Sequence, residues 1–154
     1  MKNEKFQQFS AQERTYLSRL AEKLRVQFTP SSAQGRCPYD GVFVKSESEC
    51  VSVSVVEAKV RQMSVGTYDE YVIEKQKYEK LMDLHAAGRC QKVLYVNFFR
   101  DDNGPDVCLI WSLHKLDEPT WTEMSMNAQT AVSNRKKKKT VGLLGVSKAI
   151  RVEL

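Results

Sequence analysis

The chain has 154 residues, of which 42% are hydrophobic and 28% are charged, a composition typical of one folded domain and one that excludes wholesale disorder. Its net charge of +5 favours a polyanionic partner over a cationic one. No run of about eighteen apolar residues occurs, which argues against a membrane-spanning helix.

The cysteines and the first residues indicate the compartment. The four cysteines stand apart, no Cys-x-x-Cys pair is present, and only two histidines are available to complete a zinc site. We therefore expect reduced, structural cysteines. Residues 1–9 are polar and charged, so they do not have the apolar core of a secretory signal. These features predict an intracellular, cytoplasmic protein that does not bind a membrane.

The first predicted element is an amphipathic helix from Ser10 to about Val26. Ser10 and Glu13 have the spacing of a capping box, in which each side chain bonds the backbone of the other residue. Apolar residues then recur at helical spacing, at Leu17, Leu20, Ala21 and Leu24. The turn-rich segment Thr29 to Gly35 follows and predicts a loop.

Two strands are predicted next, Tyr39 to Lys45 and Cys50 to Arg61. The Asp40-Gly41 pair at the start of the first is also compatible with a simple turn. In the second strand, side chains alternate between faces, so Glu57 and Lys59 continue the apolar row of Val51, Val53 and Val55. Burying a carboxylate and an ammonium in such a row is costly unless a partner or a metal ion compensates. The charged pair therefore indicates a site.

The middle of the chain predicts a helix and a second pair of strands. Tyr68 to Ala87 has a helical apolar stripe, made of Tyr71, Val72, Tyr78, Met82 and Ala86, and Gly88 ends it. Val93 to Phe99 is nearly continuously apolar, as in a central strand covered on both faces. Residues 101–105 predict a turn, and residues 107–113 the returning strand. The order α-β-β-α-β-β predicts an α/β fold with a mixed β-sheet core flanked by helices.

The last third of the chain has a weaker pattern. We predict an irregular arm or loop over residues 114–140 and a C-terminal element over 141–154 that packs on the core, all within a single domain spanning 1–154. Arg135 to Lys139 is a block of five consecutive basic residues, which would attract phosphates through counterion release. The block is also compatible with a solvated loop that binds nothing.

Two short motifs resemble the signature of a nuclease superfamily. Pro38-Tyr39-Asp40 and Glu57-Ala58-Lys59 lie on the two neighbouring predicted strands, so a hairpin would bring both acids together. With the order of elements from Ser10 to Phe99, these motifs resemble the PD-(D/E)xK superfamily, and in layout archaeal Holliday junction resolvases and phage-encoded endonucleases. The resemblance implies a restriction endonuclease-like fold and a divalent-metal-dependent endonuclease that hydrolyses DNA, with junction-resolvase-like, structure-specific cleavage as a subclass.

The residues of the two motifs suit phosphodiester hydrolysis. Asp40, Glu57 and the backbone carbonyl of Ala58 offer the hard oxygen ligands that Mg²⁺ or Mn²⁺ prefers. Lys59 lies one strand period beyond Glu57, where it could orient the attacking water and offset negative charge. Hydrolysis of this kind needs no organic cofactor, and we expect none.

The resemblance adds residues outside the motifs. It implies that Glu13 joins the catalytic and metal-binding residues, with Glu22 as the second choice, and that the long helix contributes Gln76 or Lys77. The predicted DNA-contacting residues are Arg36, Arg61, Gln76, Lys77, Arg135, Lys136, Lys137, Lys138 and Lys139. Cutting both strands of a symmetric substrate would require a homodimer.

Two other functions are compatible with the same residues. The chain could be a catalytically silent nucleic-acid-binding or accessory protein that keeps the nuclease fold. It could also be a protein-interaction module, in which Glu57 and Lys59 form only a structural pair. An enzyme would show metal-dependent cleavage, which the silent nucleic-acid-binding protein would not. The protein-interaction module would also show no metal binding.

Overall fold

The computed structural model describes residues 4–31, 37–100, 102, 106–127 and 136–154, with side chains for all of these except 4–10, 126, 127 and 136. The elements in chain order are α1 (Glu4–Leu24), β1 (Gln27–Pro30), β2 (Gly41–Glu47), β3 (Cys50–Arg61), β4 (Glu70–Glu74), α2 (Lys75–Ala86), β5 (Lys92–Phe99), β6 (Val107–Ser112), β7 (Thr122–Asn127), β8 (Lys136–Gly145) and β9 (Ile150–Glu153). Short 3-10 helices follow β6 and β8.

The main sheet of the described residues has six strands in the order β1-β2-β3-β5-β6-β9. β3 pairs parallel with β5, and the other neighbours pair antiparallel, so the sheet is mixed. The α/β class predicted from the sequence is confirmed. None of the described helices is long and apolar enough to cross a membrane.

The main sheet lies between two apolar layers. Val56 and Ala58 of β3 face α1 and pack with Leu17 and Leu20, whereas Val55 faces the opposite layer. β5 is buried from Val93 to Phe99, which confirms the prediction of a central strand covered on both faces. Alternate residues of β3 therefore belong to two different hydrophobic cores.

A second sheet covers the side of the main sheet opposite α1, together with α2. It has three described strands in the order β4-β8-β7, all antiparallel. Two partly buried hydrogen bonds join the sheets: Trp111 Nε1 donates to Gly145 O at 2.9 Å, and Tyr95 Oη donates to Val72 O at 3.0 Å. Because both acceptors are backbone carbonyls, these contacts fix the second sheet to the first.

Two predicted helix boundaries are wrong. The helix predicted to begin at Tyr68 begins at Lys75, and Glu70–Glu74 is a strand. Tyr71 and Ile73 alternate into the core there because residues 70–74 pair with β8, a partner that is distant in sequence. At the N-terminus, α1 begins at Glu4 rather than Ser10. The capping-box interpretation is therefore wrong, because Ser10 lies inside the helix.

Two predicted irregular regions contain strands. β1 occupies part of the loop predicted from Thr29, up to Pro30, and residues 32–35 lie outside the described residues. The described part of 114–140 includes β7 and the first half of β8, paired in register from Thr122↔Val141 to Asn127↔Lys136. The predicted turn at 101–105 also lies outside the described residues, except Asp102.

Candidate active site

Asp40 is joined to the centre of β3 by its backbone and by its side chain. Its N–H donates to Val56 O at 2.9 Å, and its Oδ2 accepts from the N–H of Ala58 at 2.7 Å. The last register pair of β2 and β3 is Gly41↔Val56, so the carboxylate takes the place of the next ladder partner. This contact seats the acid beside the Glu57-Ala58-Lys59 motif.

Gly41 begins a strand rather than forming the simple turn that Asp-Gly also allows. A Cβ at this position would lie 2.3 Å from Phe28 Cε1 and 2.9 Å from Thr29 O. β1 therefore approaches β2 closely here, and only glycine leaves room for it. The close approach brings β1 alongside the residue that carries the acid, and Ser31 N–H donates to Asp40 O at 2.9 Å.

Glu57 is a buried carboxylate held by a lysine of α2. Its side chain is on the face of β3 that is covered by α2, and Lys77 Nζ donates to its Oε1. Burial and the nearby Asp40 carboxylate raise the pKa of Glu57 to about 7, although Lys77 opposes the shift. Burial alone would lower the pKa of Lys77, but Glu57 outweighs it and the net shift is upward.

Glu13 of α1 interacts electrostatically with the same acids. Burial, Asp40 and Glu57 raise its pKa to about 8, and the ammonium groups of Lys59 and Lys77 only partly compensate. Glu22, the second choice, is exposed on α1 and is not among the main causes of these shifts. Of the two helix acids, the structure therefore brings Glu13 to the motif residues.

Lys59 is the second cation of the cluster. It is half-buried, and burial together with the neighbouring Lys77 lowers its pKa despite the opposing carboxylates of Glu57 and Glu13. We define the acidic cluster as Glu13, Asp40, Glu57, Lys59 and Lys77. Burial is the main cause of the raised pKa values of Glu13 and Glu57, and repulsion among the three carboxylates adds to it.

The donor set of the acidic cluster suits a hard divalent cation. Within the described residues, no group of three or more His, Cys, Asp or Glu side chains is arranged to hold a metal ion. Mg²⁺ is nevertheless commonly held by one or two carboxylates and several waters. Asp40 and Glu57 would supply the carboxylates. The N–H and C=O of one strand residue point to the same side, so the Ala58 carbonyl faces the edge where Asp40 lies.

Sequence reasoning missed two residues close to the cluster. Asn97 is fully buried on β5 in register with Lys59, and its Oδ1 accepts from Arg61 Nε at 2.6 Å. Its Nδ2 has no hydrogen-bond partner in the part of the chain that the structure describes. The signal was present, since Asn97 is an amide within an otherwise apolar strand. Glu74, the other missed residue, pairs with Lys139 at 2.5 Å and carried no comparable signal.

The predicted DNA-contacting residues lie in three different environments. Lys77 and Lys139 are held by Glu57 and Glu74, and Arg61 lies over the Tyr71 ring at 5.6 Å. The side chains of Gln76, Lys137 and Lys138 are exposed. Lys136 is described only by its backbone in β8, and Arg36 and Arg135 lie outside the described residues.

No protein-family model and no curated protein matches the chain. Among solved structures, the chain is similar to Hjc, a Holliday junction resolvase from the archaeal hyperthermophile Archaeoglobus fulgidus. The TM-score is 0.48 at 10% sequence identity, over 86% of this chain and 87% of that chain. A likeness at this level gives no ground for transferring an activity, so we base the proposal below on the side chains described above.

Proposed function

We propose that this chain is a divalent-metal-dependent nuclease that hydrolyses phosphodiester bonds in DNA. The observation that carries the proposal is the hydrogen bond that Asp40 Oδ2 accepts from the Ala58 N–H, next to the buried Glu57. Two carboxylates from neighbouring strands are costly to hold together in a protein interior. A cation site is a physical reason for a fold to keep them there.

Each residue of the acidic cluster has a defined part in this chemistry. Asp40, Glu57 and the Ala58 carbonyl would hold Mg²⁺ or Mn²⁺, and Glu13 would add a third carboxyl group on the α1 side, whose ionised form a bound cation would favour. The ion would supply Lewis-acid polarisation of a phosphate oxygen and a more acidic water. Lys59 Nζ would orient the attacking water and offset the charge that develops on the phosphate oxygens.

The finer assignments belong to the same proposal. The Asp40 and Glu57-Ala58-Lys59 arrangement supports membership of the PD-(D/E)xK superfamily, and structure-specific, junction-resolvase-like cleavage is the subclass we favour. Breaking both strands of a symmetric branched substrate would require a homodimer. The exposed Lys137 and Lys138 support a DNA partner, because their ammonium groups are accessible to phosphates.

One observation favours a second candidate function, a catalytically silent nucleic-acid-binding protein with the same fold. Lys77 already occupies Glu57 Oε1, so the ion pair stabilises the carboxylate without any metal ion. In that case Asp40 would serve only to satisfy the Ala58 N–H. Metal binding and metal-dependent cleavage are what separate the two candidates.

The decisive experiment is a cleavage assay on plasmid, linear, single-stranded and four-way branched DNA, and on RNA, each with Mg²⁺, Mn²⁺ or EDTA. The nuclease proposal expects cleavage that EDTA abolishes and that Glu57→Gln reduces below detection. Asp40→Asn keeps an oxygen that can accept from Ala58 N–H and removes the charge, so it should fold normally but not cleave.

Glu49→Gln is the matched control, because Glu49 is an exposed acid at the turn between β2 and β3. It should leave cleavage unchanged. DNA binding with no cleavage in any metal, and no heat from a Mg²⁺ titration, would favour the silent protein. Cleavage by both the Asp40→Asn and the Glu57→Gln variants would show that the active site is not the acidic cluster.

A further inference from the structure

In the second sheet, β7 and the first half of β8 form a two-stranded ribbon that extends beyond β4. β4 pairs with β8 only from Glu74↔Val141 to Glu70↔Gly145. Residues 136–140 of β8 pair with β7 instead, up to Asn127↔Lys136. We call the segments 122–127 and 136–140 the ribbon. Described ribbon side chains are exposed except Lys139, so little packing determines their identity.

The lysines of the ribbon are divided between its two faces. Because side chains alternate along a strand, Lys137 and Lys139 point to one face and Lys138 to the other. Lys139 is held by Glu74, which leaves Lys137 and Lys138 as exposed cations on opposite faces. An exposed patch that bound one phosphate strand would need its charges on one face only.

The base of the ribbon is tied to the candidate active site. Glu74 ends β4 directly before α2, and Lys77 of α2 binds Glu57. The Lys139–Glu74 contact therefore sets the ribbon on the α2 side of the acidic cluster.

We propose that the ribbon enters the major groove of double-stranded nucleic acid, with Lys137 and Lys138 contacting phosphates on the two opposite walls. The major groove of B-form DNA is about 12 Å wide and admits a two-stranded β-ribbon, whose paired strands lie about 5 Å apart. The groove walls are the two phosphate backbones, so charges on both ribbon faces match a duplex and not a single strand. This inference rests on the proposed function, since it names the substrate class of that site.

The test measures binding without hydrolysis, using the full chain in EDTA. Fluorescence anisotropy follows a labelled duplex, or one of its strands alone, between about 50 and about 200 mM salt. Lys137→Gln and Lys138→Gln should each lower the steepness of the log–log salt dependence on duplex by about 0.9, and the double variant by about twice that. On the single strand, only one of the two variants should change the slope.

Two controls test whether the effect is specific to the ribbon lysines and whether binding uses the major groove. The double variant Lys115→Gln, Lys148→Gln removes the same charge from exposed positions outside the ribbon and should leave both slopes unchanged. A duplex that carries glucosyl groups on its cytosines, which fill the major groove, should bind more weakly. A minor-groove ligand should not displace the protein.

Three results would overturn the inference. The first is an equal change in salt slope on duplex and on single strand, and the second is no change in slope from either ribbon variant. The third is undiminished binding to the glucosylated duplex. Its failure is separable from that of the proposed function. Metal-dependent cleavage with unchanged salt slopes in the ribbon variants would refute only the groove-binding role of the ribbon. The expected change in salt slopes without any cleavage would support that role and refute the nuclease proposal.

Discussion

The acidic cluster and the ribbon use charge in opposite ways. In the cluster, Glu57 is only 5% exposed, and burial moves the pKa values of both Glu57 and Glu13 upward. In the ribbon, Lys137 and Lys138 are exposed to solvent. Charge in a low-dielectric interior acts through fixed geometry and protonation, whereas exposed charge acts through ion release and is screened by salt. The two regions should therefore respond to different variables, pH and divalent metal in one and ionic strength in the other.

The largest effect that would test this contrast is expected from Lys59→Met. Removing the ammonium should lower the cleavage rate by about 10³-fold, equivalent to about 4 kcal/mol of transition-state stabilisation. Binding to DNA should keep its salt dependence, because Lys59 is half-buried and lies outside the ribbon. Single-turnover rates and anisotropy on the same substrate measure both. A lower salt slope with an unchanged rate would mean that Lys59 acts as a ribbon lysine does.

The next effect concerns pH. The pKa values of Glu13, about 8, and Glu57, about 7, lie above the ordinary 4.5, so the folded state holds protons that the unfolded state releases. This contribution to stability is complete below pH 4.5 and is lost as pH rises through 7 and 8. In EDTA, the free energy of unfolding should fall between pH 5 and pH 8, by at most about 1.4 kcal/mol per pH unit for each of the two carboxyl groups, measured by urea denaturation.

Glu13→Gln is the matched variant for the pH prediction, since it removes one of the two titrations and should flatten the fall. Glu74 does not interfere with this measurement. Lys139 holds the pKa of Glu74 below the ordinary value despite the burial of the carboxyl group, so the contribution of Glu74 to stability is lost only below pH 5. Saturating Mg²⁺ at pH 8 should restore stability. Constant stability from pH 5 to pH 8 would contradict the raised pKa values of the two carboxyl groups.

Lys77→Met should have a smaller effect, and one that is specific to metal binding. Lys77 competes with a cation for Glu57 Oε1, so its removal should tighten Mg²⁺ binding at pH 8 by about tenfold, equivalent to about 1.4 kcal/mol. Isothermal titration calorimetry measures the change. Lys80→Met, at an exposed position on the same helix, should not alter the affinity. Weaker Mg²⁺ binding in Lys77→Met would instead indicate that Lys77 positions Glu57 for the ion.

The smallest expected effect is on the contact that links the two regions. A double-mutant cycle of Glu74→Gln and Lys139→Met should give a coupling of about 0.5 to 1 kcal/mol, since both side chains are partly buried. The exposed Lys75–Glu79 pair on α2 is the reference and should give about 0.3 kcal/mol. A coupling no larger than the reference would mean that Glu74 does not anchor the ribbon.

Local patterns predicted four of the described strands of the main sheet, β2, β3, β5 and β6, and placed two acids together. The alternation in Cys50–Arg61 and the apolar run in β5 are properties of short segments, and both strands have those patterns in the fold. Asp40 could be paired with Glu57 because a hairpin connects neighbours in sequence. That these residues bind metal and cleave DNA stays a prediction.

The second sheet could not be predicted in the same way. Tyr71 and Val72 fit a helical stripe as well as a strand, and only pairing with β8, about seventy residues later in the chain, decides between them. Because the helix was predicted to begin too early, Glu74 was assigned to a helix interior. The sequence predicts Lys77 as a residue near the metal site or as a DNA contact, but it does not predict the ion pair with Glu57, because that pair depends on how α2 packs against β3.

Packing limits the size of the side chain at Ala58, the position between the two charged motif residues. Ala58 contributes its N–H and carbonyl on one edge, while its methyl group, 1% exposed, lies under α1 in contact with the core that contains Leu17. A bulkier side chain here would push the helix outward, and Glu13 would move with it. Residue size at this position therefore controls how closely the acid on the helix approaches the acids on the strands, although its side chain has no polar atom.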